Sequence, residues 1–126
     1  VQGFGLIIEE LDAGAVRIAL RGELDLAHAY TFDEELRRVE EARPTCVVLD
    51  LRELSFLDSC GLARLLAARR RARKAGHRLL LVRGPAAIQR LFALSAVDEA
   101  FEMVSDIPIA LMAASDPPPV SPPVRA

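Results

Sequence analysis

An α/β fold is what this sequence predicts: one mixed β-sheet of about four to five strands with helices packed against it. Two β-prone runs, GLIIEEL at 5–11 and AVRIALRG at 15–22, flank the turn signal Asp12-Ala13-Gly14 and read as an antiparallel hairpin. Further on, TCVVLDL at 45–51, a leucine- and alanine-rich segment at 62–76 and HRLLLVRG at 77–84 form a strand–helix–strand unit, whose two strands run parallel. A hairpin and a parallel unit in 126 residues make the sheet mixed, and the length favours one domain.

Each element has its own local reason. Val16, Ile18 and Leu20 alternate with Arg17, Ala19 and Arg21, as in a strand with one wet face. Over 22–44 the period changes. Leu26, Ala29, Tyr30, Phe32, Leu36 and Val39 fall near helical spacing, and Pro44 ends the helix. Asp25 stands just before it, where a carboxylate can cap free N–H groups. The run 45–51 is apolar and β-branched, the signature of a strand buried on both faces. RELSFLDSCG leads out of that strand, and the helix over 62–76 is closed by Gly76. Pro85 opens another helix over 85–97, with Ile88, Leu91, Phe92 and Ser95 at i, i+3, i+4 and i+7. A short strand is expected in EAFEMV and a last helix in SDIPIALMAAS. The folded domain therefore spans 1–114. The tail over 115–126 is too proline-rich to pair its backbone or bury much, and is expected to be disordered.

Bulk properties narrow the function. Apolar residues make up 52% of the chain and charged residues 27%, enough for one core. The net charge of −2 gives no overall pull toward nucleic acid. Arg64, Arg69, Arg70, Arg71, Arg73 and Lys74 make one helix basic, but no aromatic side chains interleave to stack on bases. Late cations suit a helix C-terminus, so no direct nucleic-acid binding is expected. Cys46 and Cys60 form no CxxC and have no histidine at ligand spacing, so no metal is expected. They read as reduced thiols of a cytoplasmic protein. No stretch reaches the roughly 20 apolar residues of a membrane helix, and no basic-then-apolar leader is seen. What precedes Val1 is left open.

The junction LSFLDSCGLARLL at 54–66 raises the functional question. An apolar run stops at Asp58, Ser59 and Cys60, then Gly61 opens a helix. Nucleophilic catalysis by Ser59 needs a base. A GxSxG elbow is absent. Of the two histidines, His28 lies at the start of the first helix, and His77 lies at the far end of a helix about 15 residues, roughly 22 Å, long. GFG at 3–5 and RGP at 83–85 are too short for a phosphate-binding loop, so no nucleotide cofactor is expected. A thiol at a helix N-terminus is activated, but Asp58 beside Cys60 opposes this, and a small half-buried residue is the plainer reading. Asp58 or Ser59 can cap the helix. Capping is compatible with a second role, because a helix start welcomes phosphate and Asp58 repels it. A phosphoserine there would change what the surface binds without unfolding the domain.

Two motifs in order bring a family into view. Gly22-Glu23-Leu24-Asp25 follows the second strand, and Phe56-Leu57-Asp58-Ser59-Cys60-Gly61-Leu62 follows the apolar strand Val47–Leu51. Over about residues 5–113 the chain resembles the STAS domains, most closely the bacterial anti-sigma factor antagonists. The resemblance implies a mixed sheet with helices packed on one side and no catalytic residues of its own. It implies that the unmodified protein binds an anti-sigma factor with serine kinase activity and so releases a sigma factor. Phosphorylation at Ser59 would switch this off, and a PP2C-type phosphatase would restore it. Asp25, Asp58, Cys60 and Gly61 are implied at the partner-binding surface. One departure stands out: Cys60 occupies a position that is more often Ser or Thr. The alternative within the family is a non-switching module, a scaffold in a sensory (stressosome-like) assembly or part of a lipid-transport complex.

Overall fold

The computed structural model describes residues 3–106. Its strands are β1 (Phe4–Glu10), β2 (Ala15–Leu24), β3 (Cys46–Leu57), β4 (Arg78–Val82) and β5 (Glu102–Val104). Its helices are α1 (Ala29–Glu41), α2 (Ser59–Ala75) and α3 (Ala86–Leu94), with one-turn 3-10 segments at Asp12–Gly14 and Asp98–Ala100. The strands lie in sequence order across a single sheet. The β1–β2 pair is antiparallel, and the pairs from β2 to β5 are all parallel. The sheet is therefore mixed, as the hairpin and the strand–helix–strand unit required. The last helix expected in SDIPIALMAAS falls, beyond its first two residues, outside the described residues, and so does the tail.

One core joins the sheet to the helices. Ile18, Leu20, Val47, Leu49, Leu51 and Leu81 meet Phe32 and Leu36 of α1, Leu62, Leu65 and Ala68 of α2, and Ile88 and Phe92 of α3. On the other face Ala15, Cys46, Val48, Leu80 and Val82 form a second buried cluster. Residues 46–51 are thus buried on both faces, and burial pushes the Cys46 thiol up to about 11.

Three expectations need correcting. Strand β3 does not end near Leu51 but continues to Leu57, because Arg21 to Leu24 of β2 keep pairing with Glu53 to Leu57. Register shifts interrupt that pairing, so the alternation that marks a strand is lost locally. Helix α2 begins three residues before Leu62, at Ser59, because the cap is Asp58. Leu26 and Tyr30 are not part of the buried stripe of α1, and each is 73% exposed. Leu26 precedes the helix, and Tyr30 lies about 200° around it from Phe32.

The sheet face away from the helices carries a buried acid. Asp50 is 3% exposed and accepts from Arg17 Nη2 at 2.8 Å, Arg52 Nε at 3.0 Å and Arg52 N at 3.1 Å. Burial alone would raise its pKa, but the bonds from Arg52 and Arg17 outweigh burial and hold it below the ordinary aspartate value. A carboxyl depressed in the folded state adds stability that is full above its unfolded value and lost as pH falls through its folded value. Asp50→Asn should therefore cost about 2 kcal/mol in urea unfolding at neutral pH, and the difference from wild type should fade as pH falls below the ordinary aspartate range. A difference that stayed constant down to acid pH would mean that Asp50 acts by shape and not by charge.

Candidate functional site

The site forms where the parallel strands β2 and β3 end side by side, at Leu24 and Leu57. The chain leaves β3 in an extended conformation at Asp58, φ −108° and ψ −175°, and turns straight into α2. Both carboxylate oxygens of Asp58 are engaged. Oδ1 accepts from Gly61 N at 2.9 Å, which caps α2, and Oδ2 accepts from Leu26 N at 3.1 Å, which ties down the connection between β2 and α1. One side chain thus fixes two segments that lie 32 residues apart.

Ser59 is the first residue of α2 and is exposed. The cap comes from Asp58, so the serine hydroxyl is left for other chemistry. Cys60 is half-buried with a free thiol. Gly61 is buried, and a Cβ there would lie 2.3 Å from Leu24 O and 2.7 Å from Leu57 Cδ1. Close approach of α2 to the strand ends therefore requires glycine, and Gly61 shapes the site from beneath.

Asp25 stands in the same corner but not where a cap on α1 would be. His28 occupies the N-cap position of that helix without a side-chain cap bond. A turn closed by His28 N and Asp25 O at 3.0 Å separates strand from helix. Asp25 Oδ1 accepts from His28 N at 3.2 Å and lies 2.7 Å from His28 Nδ1, while the His28 ring stacks on Phe4 at 5.8 Å. The acid holds the turn, and the turn is held to α2 by Asp58. Asp25, Asp58, Ser59 and Cys60 are thereby brought to one end of the sheet, with Gly61 below.

Sequence reasoning missed the groove beside them. Leu26, Ala29, Tyr30, Asp33, Cys60, Ala63 and Arg64 line a shallow depression of about 370 Å³ between α1 and α2. Two large side chains, Leu26 and Tyr30, stand open to solvent there, next to the exposed serine. The signal was in the sequence, since both residues fall off the Phe32–Leu36 stripe once α1 is started at Ala29. Arg71 Nε meets Glu40 Oε1 at 2.8 Å and Arg71 Nη1 lies 3.4 Å from Asp33 Oδ1, so this cation of the basic helix braces α2 against α1. Among the described residues no cluster of potential metal ligands occurs, and no helix is long and apolar enough to cross a membrane.

Asp58→Ala should cost about 1–2 kcal/mol, for the lost cap and the lost tether together. Hydrogen exchange should speed up at Leu26 N as well as at Gly61 N. Faster exchange at Gly61 alone would show that the tether to Leu26 carries no stability.

The same architecture occurs in known proteins. An anti-sigma factor antagonist from Mycobacterium paratuberculosis superposes with a TM-score of 0.82 at 26% identity, covering 90% of this chain and 96% of that one. The anti-sigma factor antagonist SpoIIAA is similar in its unphosphorylated form (TM-score 0.67, 19% identity, 86% and 94% covered). So is the phosphorylated form of the Bacillus protein (TM-score 0.63, 20% identity, 81% and 93% covered). The fold is also found within the murine anion transporter Slc26a9, at 15% identity, where 90% of this chain matches 22% of that one with a TM-score of 0.72. The model of the STAS domain matches residues 8–110, from β1 past β5 and through both motifs. With the strand order, the helices and the Asp-Ser corner all in place, the chain belongs to the STAS domain family.

Proposed function

We propose that this chain is an anti-sigma factor antagonist switched at Ser59. The unmodified form binds an anti-sigma factor that is also a serine kinase, and a sigma factor is released. The kinase transfers phosphate from ATP to the Ser59 hydroxyl, the complex separates, and a PP2C-type phosphatase hydrolyses the phosphoserine. The partner supplies nucleotide and catalysis, and this chain supplies a surface and an acceptor.

The observation that carries this reading is the division of labour at the start of α2. Asp58 takes the capping role, and Ser59 stands exposed beside the apolar groove. Phosphorylation would add a charge of about −1.5 to −2 next to Asp58 and at the rim of that groove. The first N–H groups of α2 would accept this charge without unfolding, while a partner seated there would meet repulsion and desolvation. That SpoIIAA has been solved in both unphosphorylated and phosphorylated forms supports the same chemistry for this chain. Asp25 acts through its turn, which presents Leu26 toward the groove. Cys60 lines the groove with a small side chain and no hydroxyl.

The direct test is incubation of the chain with ATP and an anti-sigma factor kinase from the same genome, followed by mass spectrometry. One phosphate located on Ser59, and removed by a PP2C-type phosphatase, is the expected result. Binding of the same kinase without modification of Ser59 would instead support a non-switching module, a reading favoured by the occurrence of the fold inside a transporter.

A further inference from the structure

We propose that the outer edge of β1 pairs with the same edge of a second copy, antiparallel and centred on Ile7, to make a ten-stranded sheet across a two-fold axis. Strand β1 is the last strand on its side of the sheet, and among the described residues no strand pairs with its outer edge. Edge strands are usually guarded by Lys, Pro, a bulge or a covering element. The segment FGLIIEE has no Lys or Pro, its only charges are Glu9 and Glu10 at one end, and its seven residues pair with β2 without a register break. Ile7 and Ile8 are 49% and 46% exposed on its two faces.

The hydrogen-bond phase limits the register to axes that pass through a residue. Glu23 N donates to Gly3 O and Leu11 N donates to Ala15 O, each at 2.8 Å. The odd-numbered residues of β1 therefore turn their main-chain groups toward β2. Phe4, Leu6, Ile8 and Glu10 turn theirs outward. Centring the axis on Ile7, the midpoint of the strand, sets Leu6 opposite Ile8 of the second copy and Phe4 opposite its Glu10. Every pair that must exchange hydrogen bonds is then made of outward-facing residues, and the two Ile7 side chains meet as a pair that is not hydrogen-bonded.

Charge and overlap narrow these axes to the one at Ile7. Arg21 lies directly across from Gly5 on one side, so the two share a face. With the axis at Ile7, Glu9 of the second copy lies directly across from Gly5 on the other side. Gly5 has no side chain to intervene, and two strand spacings are about 9.6 Å, which Arg and Glu side chains can span together. Within one copy Arg21 meets Glu53 at 2.8 Å and Glu9 meets Arg17 at 2.9 Å, so the pair across the axis adds to or exchanges with these surface pairs. Symmetry makes this pair twice. Centring on Leu6 would instead place Glu9 across Gly3 from Glu23, two like charges, and centring on Ile8 would leave Phe4 and Gly5 unpaired. The axis turns the two Ser59 residues to opposite ends of the joined sheet, so dimerisation and partner binding use separate surfaces. One strand edge makes a narrow isologous interface, which belongs to the weak, concentration-dependent class.

The test uses the whole chain. Sedimentation equilibrium should show a reversible monomer–dimer system, and Ile7→Lys, folded by circular dichroism, should weaken the dimer at least tenfold. In a Cys60→Ala background, with Cys46 buried, mild oxidation of Ile7→Cys should give a covalent dimer, because facing residues of a pair that is not hydrogen-bonded approach to about 4.5 Å between Cα atoms. Ile8→Cys should not crosslink, since its copy lies two residues out of register and beyond about 7 Å. The proposal is overturned by monomeric mass up to the solubility limit, by a dimer that Ile7→Lys leaves intact, by failure of Ile7→Cys to crosslink, or by equal crosslinking of the two cysteine variants. Should Ile7→Lys not fold, the cysteine pair still decides.

Discussion

Ser59→Asp is expected to bind the anti-sigma kinase about a hundredfold more weakly than wild type, a loss of about 2.7 kcal/mol. Ser59→Ala is expected to bind as tightly as the unmodified protein and to stay bound when ATP is added. Both follow from the proposed switch together with the position of the residue. Ser59 is exposed and Asp58 holds the cap, so neither substitution removes a bond that α2 depends on. A carboxylate at the first helical position is favoured by the helix dipole, so Ser59→Asp should melt no lower than wild type. What changes is the interface, where a fixed negative charge beside Asp58 must be desolvated. Titration calorimetry with the purified kinase, with and without ATP, measures all three proteins in one series. Equal affinities for Ser59→Asp and wild type would mean that charge at this position is not the switch.

The second large effect is expected at Gly61. Gly61→Ala should cost about 2 kcal/mol and Gly61→Val about 3 kcal/mol in urea unfolding, although both residues are better suited to a helix interior than glycine. The added Cβ meets the Leu24 carbonyl oxygen at 2.3 Å, and that atom is main chain, so it cannot turn away. Helix α2 must lift from the ends of β2 and β3, carrying Ser59 with it. Gly76→Ala provides the contrast. Gly76 has φ +84° at the C-cap of α2 and nothing within 4 Å of a Cβ, so only the left-handed backbone opposes the substitution, at about 1 kcal/mol. A smaller loss at Gly61 than at Gly76 would show that α2 can shift freely and that the site is not held as rigidly as the packing indicates.

Much of the candidate site was legible because its determinants are local. Asp58, Ser59 and Gly61 lie within four consecutive residues, and a short acid before a helix followed by a small residue carries its geometry in its own sequence. Gly76 announced the end of α2 in the same way. Asp25 lies in the same corner as Asp58, but its bonds go to His28 and not to a cap on α1, since a turn of a few residues between strand and helix leaves no periodic signal. The groove was hidden for a related reason. Leu26 and Tyr30 count as apolar in any pattern, and only the true start of α1 shows that they fall outside its buried stripe.

By itself, the sequence determined the order of the elements, the antiparallel hairpin, the parallel unit and a cap from Asp58 or Ser59 at the start of α2. These depend on side-chain periodicity, turn residues and capping, whose partners lie within a few positions along the chain. Tertiary structure decided the rest. Strand β3 runs on to Leu57 because β2 continues to pair with it past each register shift. Asp50 is charged and buried because Arg17, 33 residues away, reaches it. Asp58 becomes the joint of the site because Leu26, 32 residues away, donates to its second oxygen. A carboxylate has more than one acceptor position, and local sequence accounts for the first bond only. The second goes to whichever donor the fold brings within reach.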